Sequence, residues 1–125
     1  MGVIEMVFGS FVKERRLKKK MGLRVFAAMI GEDAGNWCRV ESGRLSAPSD
    51  IKILNKICEV FDIKDEEKGK FFDLAAKDSR EKIPADIKQQ IKENDIVPIL
   101  FRTIDKKRLT KDELKKLVKR IQDEY

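Results

Sequence analysis

The chain has 125 residues and a net charge of +6, from 28 lysines and arginines against 22 acids, and it has no histidine. That length allows one compact domain, or a domain with an appendage. An apolar fraction of 42% supplies a core, and the 40% of charged residues interleave in sign, which argues against global disorder. Without histidine the commonest general base and metal ligand are missing, and nothing pairs a nucleophile with a base. The expectation is therefore no enzyme, no catalytic residue, no metal site and no cofactor.

The positive excess is uneven: residues 1–48 carry +4, residues 49–83 carry −1 and residues 84–125 carry +3. The start, MGVIEMVFG, lacks the charged opening and apolar run of a signal peptide, and lacks the serine or threonine at position six of a myristoylation signal. The longest apolar runs, 25–30 and 96–101, are too short for a bilayer, so a soluble cytoplasmic protein with no membrane partner is expected. Cys38 and Cys58 lack CxxC spacing and fall on apolar helical faces, which reads as two small buried residues in a reducing compartment.

The first helix is expected from about residue 8 to 19, with Phe8, Phe11, Val12 and Leu17 facing a core and the basic run from Lys13 to Lys20 outside. A second helix starts near Gly22 and Leu23, where no side chain can cap; its free amides make an anion site that Arg24 can reinforce. Phe26, Ala27 and Ile30 share its inner face, Ala27 lies where crossing helices approach closely, and Gly31 stops it in a left-handed turn. Asp33 caps a third helix whose inner face holds Trp37 and Val40. Two short helices bent around a glycine make a helix-turn-helix, in which the second helix enters the DNA major groove.

Gly43 then stops the third helix, and Ser49 is expected to cap a fourth, with Asp50 in its first turn. Ile53, Leu54, Ile57, Cys58 and Phe61 form its apolar stripe. A fifth helix opens on Asp65, Glu66 and Glu67, where acids complement the helix dipole, and carries Phe71, Phe72, Leu74 and Ala75. Phe71 and Phe72 are adjacent, so both facing one core is not expected, and the pair is a candidate dimer interface. Residues 77–84 form a polar connector and a natural boundary. Beyond it come a short helix with Ile87 and Ile91, an apolar piece around Pro98, and a last helix opened by the capping box Thr110-Lys111-Asp112-Glu113. About forty residues in three thin helices make a poor core alone, so they need something to pack on.

In order and spacing, Phe8-Gly9, Lys13 to Leu17 (KERRL), Leu23-Arg24-Val25-Phe26-Ala27, Gly31, Val40-Glu41-Ser42-Gly43-Arg44 and Pro48-Ser49 resemble the Xre-type, lambda-repressor-like DNA-binding domains. The resemblance runs from about residue 8 to 76; a looser one continues through Ile83-Pro84-Ala85-Asp86-Ile87 towards regulators with a helical extension. It implies an all-α fold, with a five-helix lambda-repressor-like domain at residues 1–78 and a helical extension at 79–125 for dimerisation or partner binding. It also implies a bacterial or phage-encoded regulator that binds double-stranded DNA as a homodimer on a palindromic operator, as a repressor.

Under that resemblance Arg16 pairs with Glu41 as a structural ion pair between the first and third helices. Base contacts fall to Ala34, Gly35, Asn36 and Arg39, where Asn36 suits adenine and Arg39 suits guanine or a phosphate. Phosphate contacts fall to Arg24, Arg44, Lys13 and Lys20. Departures from the pattern are Glu32, standing where the family has a buried aliphatic residue, Asp33 beside it, and Gly35, which costs about 1 kcal/mol inside a helix. These favour the alternative of an antitoxin or adaptor whose main role is to hold a toxin or other partner protein, its helix-turn-helix weakened.

Overall fold

A computed structural model describes residues 7–80 and 82–125. The reading of the amino-terminal leader rests on residues 1–6 and lies outside the described residues. Among those described the fold is all-helical, with eight helices: α1 Phe8–Lys18, α2 Leu23–Ile30, α3 Ala34–Glu41, α4 Ile51–Phe61, α5 Asp65–Lys77, α6 Ala85–Glu93, α7 Ile96–Lys107 and α8 Lys111–Glu124. None is long and apolar enough to cross a membrane. The chain divides into two compact units, residues 1–89 and 90–125. The division falls inside α6, beyond the polar connector, and Ala85 is still buried with the first unit's core.

The first unit is built around aromatic rings. Six of the seven phenylalanines and the single tryptophan are buried together. Phe26 stacks on Phe61 with ring centroids 5.0 Å apart, while Trp37 meets Phe26 at 5.7 Å and Phe8 edge-on at 6.3 Å. Phe71 closes the set against Phe8 and Phe11 at 5.6 and 5.8 Å. Each such ring contributes about 1.5–3 kcal/mol by leaving water, and together they lock α1, α2, α3, α4 and α5 into one core.

Local chemistry sets the helix ends. Gly31 ends α2 at φ 76° and Gly43 follows α3 at φ 81°, both in the left-handed region. Asp33 caps α3 by accepting from the Asn36 backbone N–H at 3.0 Å. In α8 the Thr110 and Glu113 side chains each accept from the other residue's backbone N–H, completing the capping box.

Four expectations are corrected. Phe71 and Phe72 are both buried, at 0% and 4% exposure, with ring centroids 6.1 Å apart. Adjacent helical residues are separated by only about 100°, and α5 buries a face wide enough to hold both, so they are core residues and offer no dimer seam. Leu17 is exposed, because α1's inner face is taken by Phe8, Phe11, Val12 and Arg16. Cys38 is exposed and only Cys58 is buried. The cap of α4 is Asp50, accepting from the Lys52 backbone N–H at 2.9 Å, one residue later than Ser49.

Candidate nucleic-acid interface

One side of α3 is pinned. Trp37, Val40 and Glu41 are buried, and Glu41 gathers three donors. Arg16 Nε donates to its Oε2 at 3.0 Å and Arg16 Nη2 to its Oε1 at 2.9 Å, while Trp37 Nε1 also donates to Oε2 at 2.9 Å. The remaining guanidinium nitrogen, Arg16 Nη1, donates to the Met21 carbonyl at 2.8 Å. This buried, forked ion pair bolts α1 and the turn after it to α3. Gly9 does the same by shape: a Cβ there would stand 2.5 Å from the Val40 carbonyl oxygen and 2.6 Å from that of Glu41. Only a glycine lets α1 lie so close to the α3 backbone.

With that side fixed, the opposite side of α3 faces solvent. Gly35, Asn36, Cys38 and Arg39 are exposed, whereas Ala34 is half-buried and packs against the core. At about 100° per residue Ala34 lies nearer the Trp37 side than Arg39 does, which is why it is drawn inward. Cys38 shares the outward side. Arg39 Nη1 donates to Asn36 Oδ1 at 3.0 Å, so the two exposed polar side chains of this helix are joined.

The loop after α3 continues this arrangement. The Arg39 carbonyl accepts from Ser42 Oγ at 3.1 Å, from the Arg44 N–H at 2.8 Å and from the Leu45 N–H at 3.1 Å. Arg44 Nε in turn donates to Ser42 Oγ at 3.3 Å, which leaves the rest of its guanidinium exposed. Ser42 is thus a positioning residue that residue spacing did not single out. A chain of hydrogen bonds connects Asn36, Arg39, Ser42 and Arg44.

The basic run of α1 is mostly engaged elsewhere. Arg15 lies over the Phe11 ring at 5.0 Å, Arg16 is the buried pair, Lys18 meets Glu14 at 3.4 Å and Lys19 meets Asp62 at 3.0 Å. Lys13 and Lys20 are exposed and have no carboxylate partner among the described residues, and the same holds for Arg24 on α2. Gly22, the residue before α2, provides no side-chain cap, so no capping side chain satisfies the first amides of that helix. Of the two acids near α3, Asp33 is occupied as the cap and Glu32 is half-buried.

Comparisons of the chain with protein-family models, with curated proteins and with solved structures found no match.

Proposed function

We propose that the chain is a sequence-specific DNA-binding transcriptional regulator, a repressor of the Xre-type, lambda-repressor-like kind, acting in the cytoplasm of a bacterial host. The observation that carries this reading is the two-sidedness of α3. Trp37, Val40 and Glu41 anchor it, and Asn36 and Arg39 stand outward on a unit that also bears the cations Lys13, Lys20, Arg24 and Arg44. In this reading α1 to α5 form the five-helix DNA-binding domain. The cations supply salt-dependent affinity by releasing counterions, and the outward side chains of α3 supply discrimination. Two copies set α3 into successive major grooves about 34 Å apart on a palindromic operator, and occupancy of promoter DNA represses without a cofactor.

The test is a gel shift of the full chain on its own upstream region at several salt concentrations. The expected result is saturable binding that weakens steeply with salt and is weaker in Arg39→Ala and Arg44→Ala. No binding at low salt by a folded protein would overturn it.

A second reading, an antitoxin or adaptor that holds a partner protein, is favoured by one observation. Neither α7 nor α8 buries a single residue, and Ile96, Ile99, Leu100, Phe101, Val118 and Ile121 are exposed. With Phe71 and Phe72 inside the core, these faces are also where a homodimer contact is sought. Co-purification from the native host separates the two: a stoichiometric second protein without DNA affinity favours the adaptor.

A further inference from the structure

The hydrogen bond between Arg39 and Asn36 restricts what α3 can read. Arg39 Nη1 donates to Asn36 Oδ1 at 3.0 Å, and both side chains are exposed. Its direction follows from chemistry, since a guanidinium has donors and no acceptor, so the amide must turn its oxygen towards it. The outward group of Asn36 is then its NH2, beside the remaining N–H groups of Arg39. The Asp33 carboxylate on the same turn is already engaged by the Asn36 backbone N–H at 3.0 Å. Gly35 adds no side chain at all.

Reading adenine takes both ends of an asparagine amide, the oxygen accepting from N6 and the NH2 donating to N7. Here that oxygen already accepts from the Arg39 guanidinium, which uses one of its two lone pairs and holds it turned towards Arg39. Guanine presents two acceptors, N7 and O6, in the major groove, whereas adenine and cytosine each present a donor there, which a surface of donors meets unfavourably. Resting on the DNA-binding reading above, we propose that Arg39 and Asn36 form one hydrogen-bonded unit, with its donors turned outward, that selects guanine at the base pair facing α3. Asn36 acts by orienting Arg39, and reads no adenine itself. Holding the guanidinium in one geometry before binding removes ordering cost from the contact.

The experiment is selection of a random-sequence duplex library by the full chain, with sequencing of the bound fraction, for the wild type and for Asn36→Ala, Asn36→Asp and Arg39→Ala. All three changes lie on an exposed surface, and circular dichroism verifies the fold of each. The expected result is a guanine in every selected half-site, preferred over adenine by on the order of tenfold or more. Arg39→Ala abolishes that preference. Asn36→Ala weakens it without substituting another base, and Asn36→Asp, whose carboxylate still accepts from Arg39, restores it at lower overall affinity. An adenine preference that disappears in Asn36→Ala would overturn the proposal while leaving DNA binding intact, as would a guanine preference indifferent to Arg39. A wild type that enriches no sequence would overturn the DNA-binding reading and this inference together.

Discussion

Arg16 and Glu41 meet through two hydrogen bonds at 2.9 and 3.0 Å with both side chains out of solvent, joining the last turn of α1 to the end of α3. A buried charge deprived of its partner is expensive, whereas removing both charges together is nearly neutral. Arg16→Met is expected to lower the unfolding free energy by about 3–5 kcal/mol in denaturant titration. The double variant Arg16→Met with Glu41→Met should recover much of that loss. It should not recover all of it, because Trp37 Nε1 then has no acceptor, at a cost of roughly 1–3 kcal/mol. A single variant as stable as the wild type would mean the pair is solvated.

Two glycines on helices give opposite expectations. An alanine at Gly9 meets the Val40 and Glu41 carbonyl oxygens at 2.5 and 2.6 Å, both of them backbone that cannot swing aside. Gly9→Ala should therefore destabilise by about 1–3 kcal/mol despite alanine's better helix propensity. Gly69, inside α5, has nothing within 4 Å of its Cβ position. Gly69→Ala should stabilise by about 0.5–1 kcal/mol. Thermal melts of the two variants check the pair; a Gly9→Ala variant as stable as the wild type would refute the close crossing of α1 and α3.

Those glycines mark the limit of what sequence conveys. Helix ends are local, so Gly31, Asp33 and the Thr110–Glu113 box could be read from residue type and spacing. Face assignment is less local. Period 3.6 says which residues share a side but not how wide a side the neighbours cover, which is why Phe71 and Phe72 both fit the core while Leu17 and Cys38 lie outside it. Gly9 stands out only once α3 is in place against it. The link between Arg16 and Glu41, 25 residues apart, could be named only through a family resemblance. At the candidate interface, the resemblance names Gly35, Asn36 and Arg39 as outward but also Ala34, which is half-buried, and the bond that unites Asn36 with Arg39 depends on rotamers no pattern reveals.

Lys20 occupies a position that chemistry would give to glycine. It ends α1 at φ 57°, its N–H donating to the Leu17 carbonyl at 2.9 Å while the Met21 N–H donates to the Arg16 carbonyl at 3.1 Å, the pattern of a Schellman turn. The left-handed penalty of roughly 1–2 kcal/mol, less the extra chain entropy of glycine, leaves Lys20→Gly about 0.5–1 kcal/mol more stable. If Lys20 touches a phosphate, the same variant should show a salt dependence of DNA binding shallower by about one in slope. Greater stability with an unchanged slope would remove Lys20 from the interface.

The capping box of α8 makes a prediction about acid. Donation from the Thr110 backbone N–H, with a contribution from its hydroxyl, holds the Glu113 carboxyl below its usual 4.5. A group whose folded value is depressed supports the fold above its unfolded value and stops doing so as pH falls through the lower, folded one. The first turn of α8 should therefore stay capped at pH 4.5 and loosen below it. The Thr110 amide resonance, followed by NMR from pH 6 to pH 2, should titrate with a midpoint under 4.5. In Thr110→Ala that midpoint should rise, since the hydroxyl's share is gone; a midpoint unmoved by the substitution would leave the backbone bond as the sole cause.

Exposure separates the two cysteines, and Cys38 can report on what covers α3. Cys58 is 2% exposed and burial pushes its thiol up to about 11, so it is both screened and protonated at neutral pH. Cys38 is exposed beside Arg39. A maleimide should therefore modify Cys38 alone in the native protein, reach Cys58 only on unfolding, and find nothing to label in native Cys38→Ser. If α3 lies in a major groove, a saturating duplex must slow the labelling of Cys38 and leave the unfolding-limited labelling of Cys58 no faster. Labelling of Cys38 at the same rate with and without bound duplex would mean that the protein holds DNA by some other face, and α3 would lose its role as the reading helix.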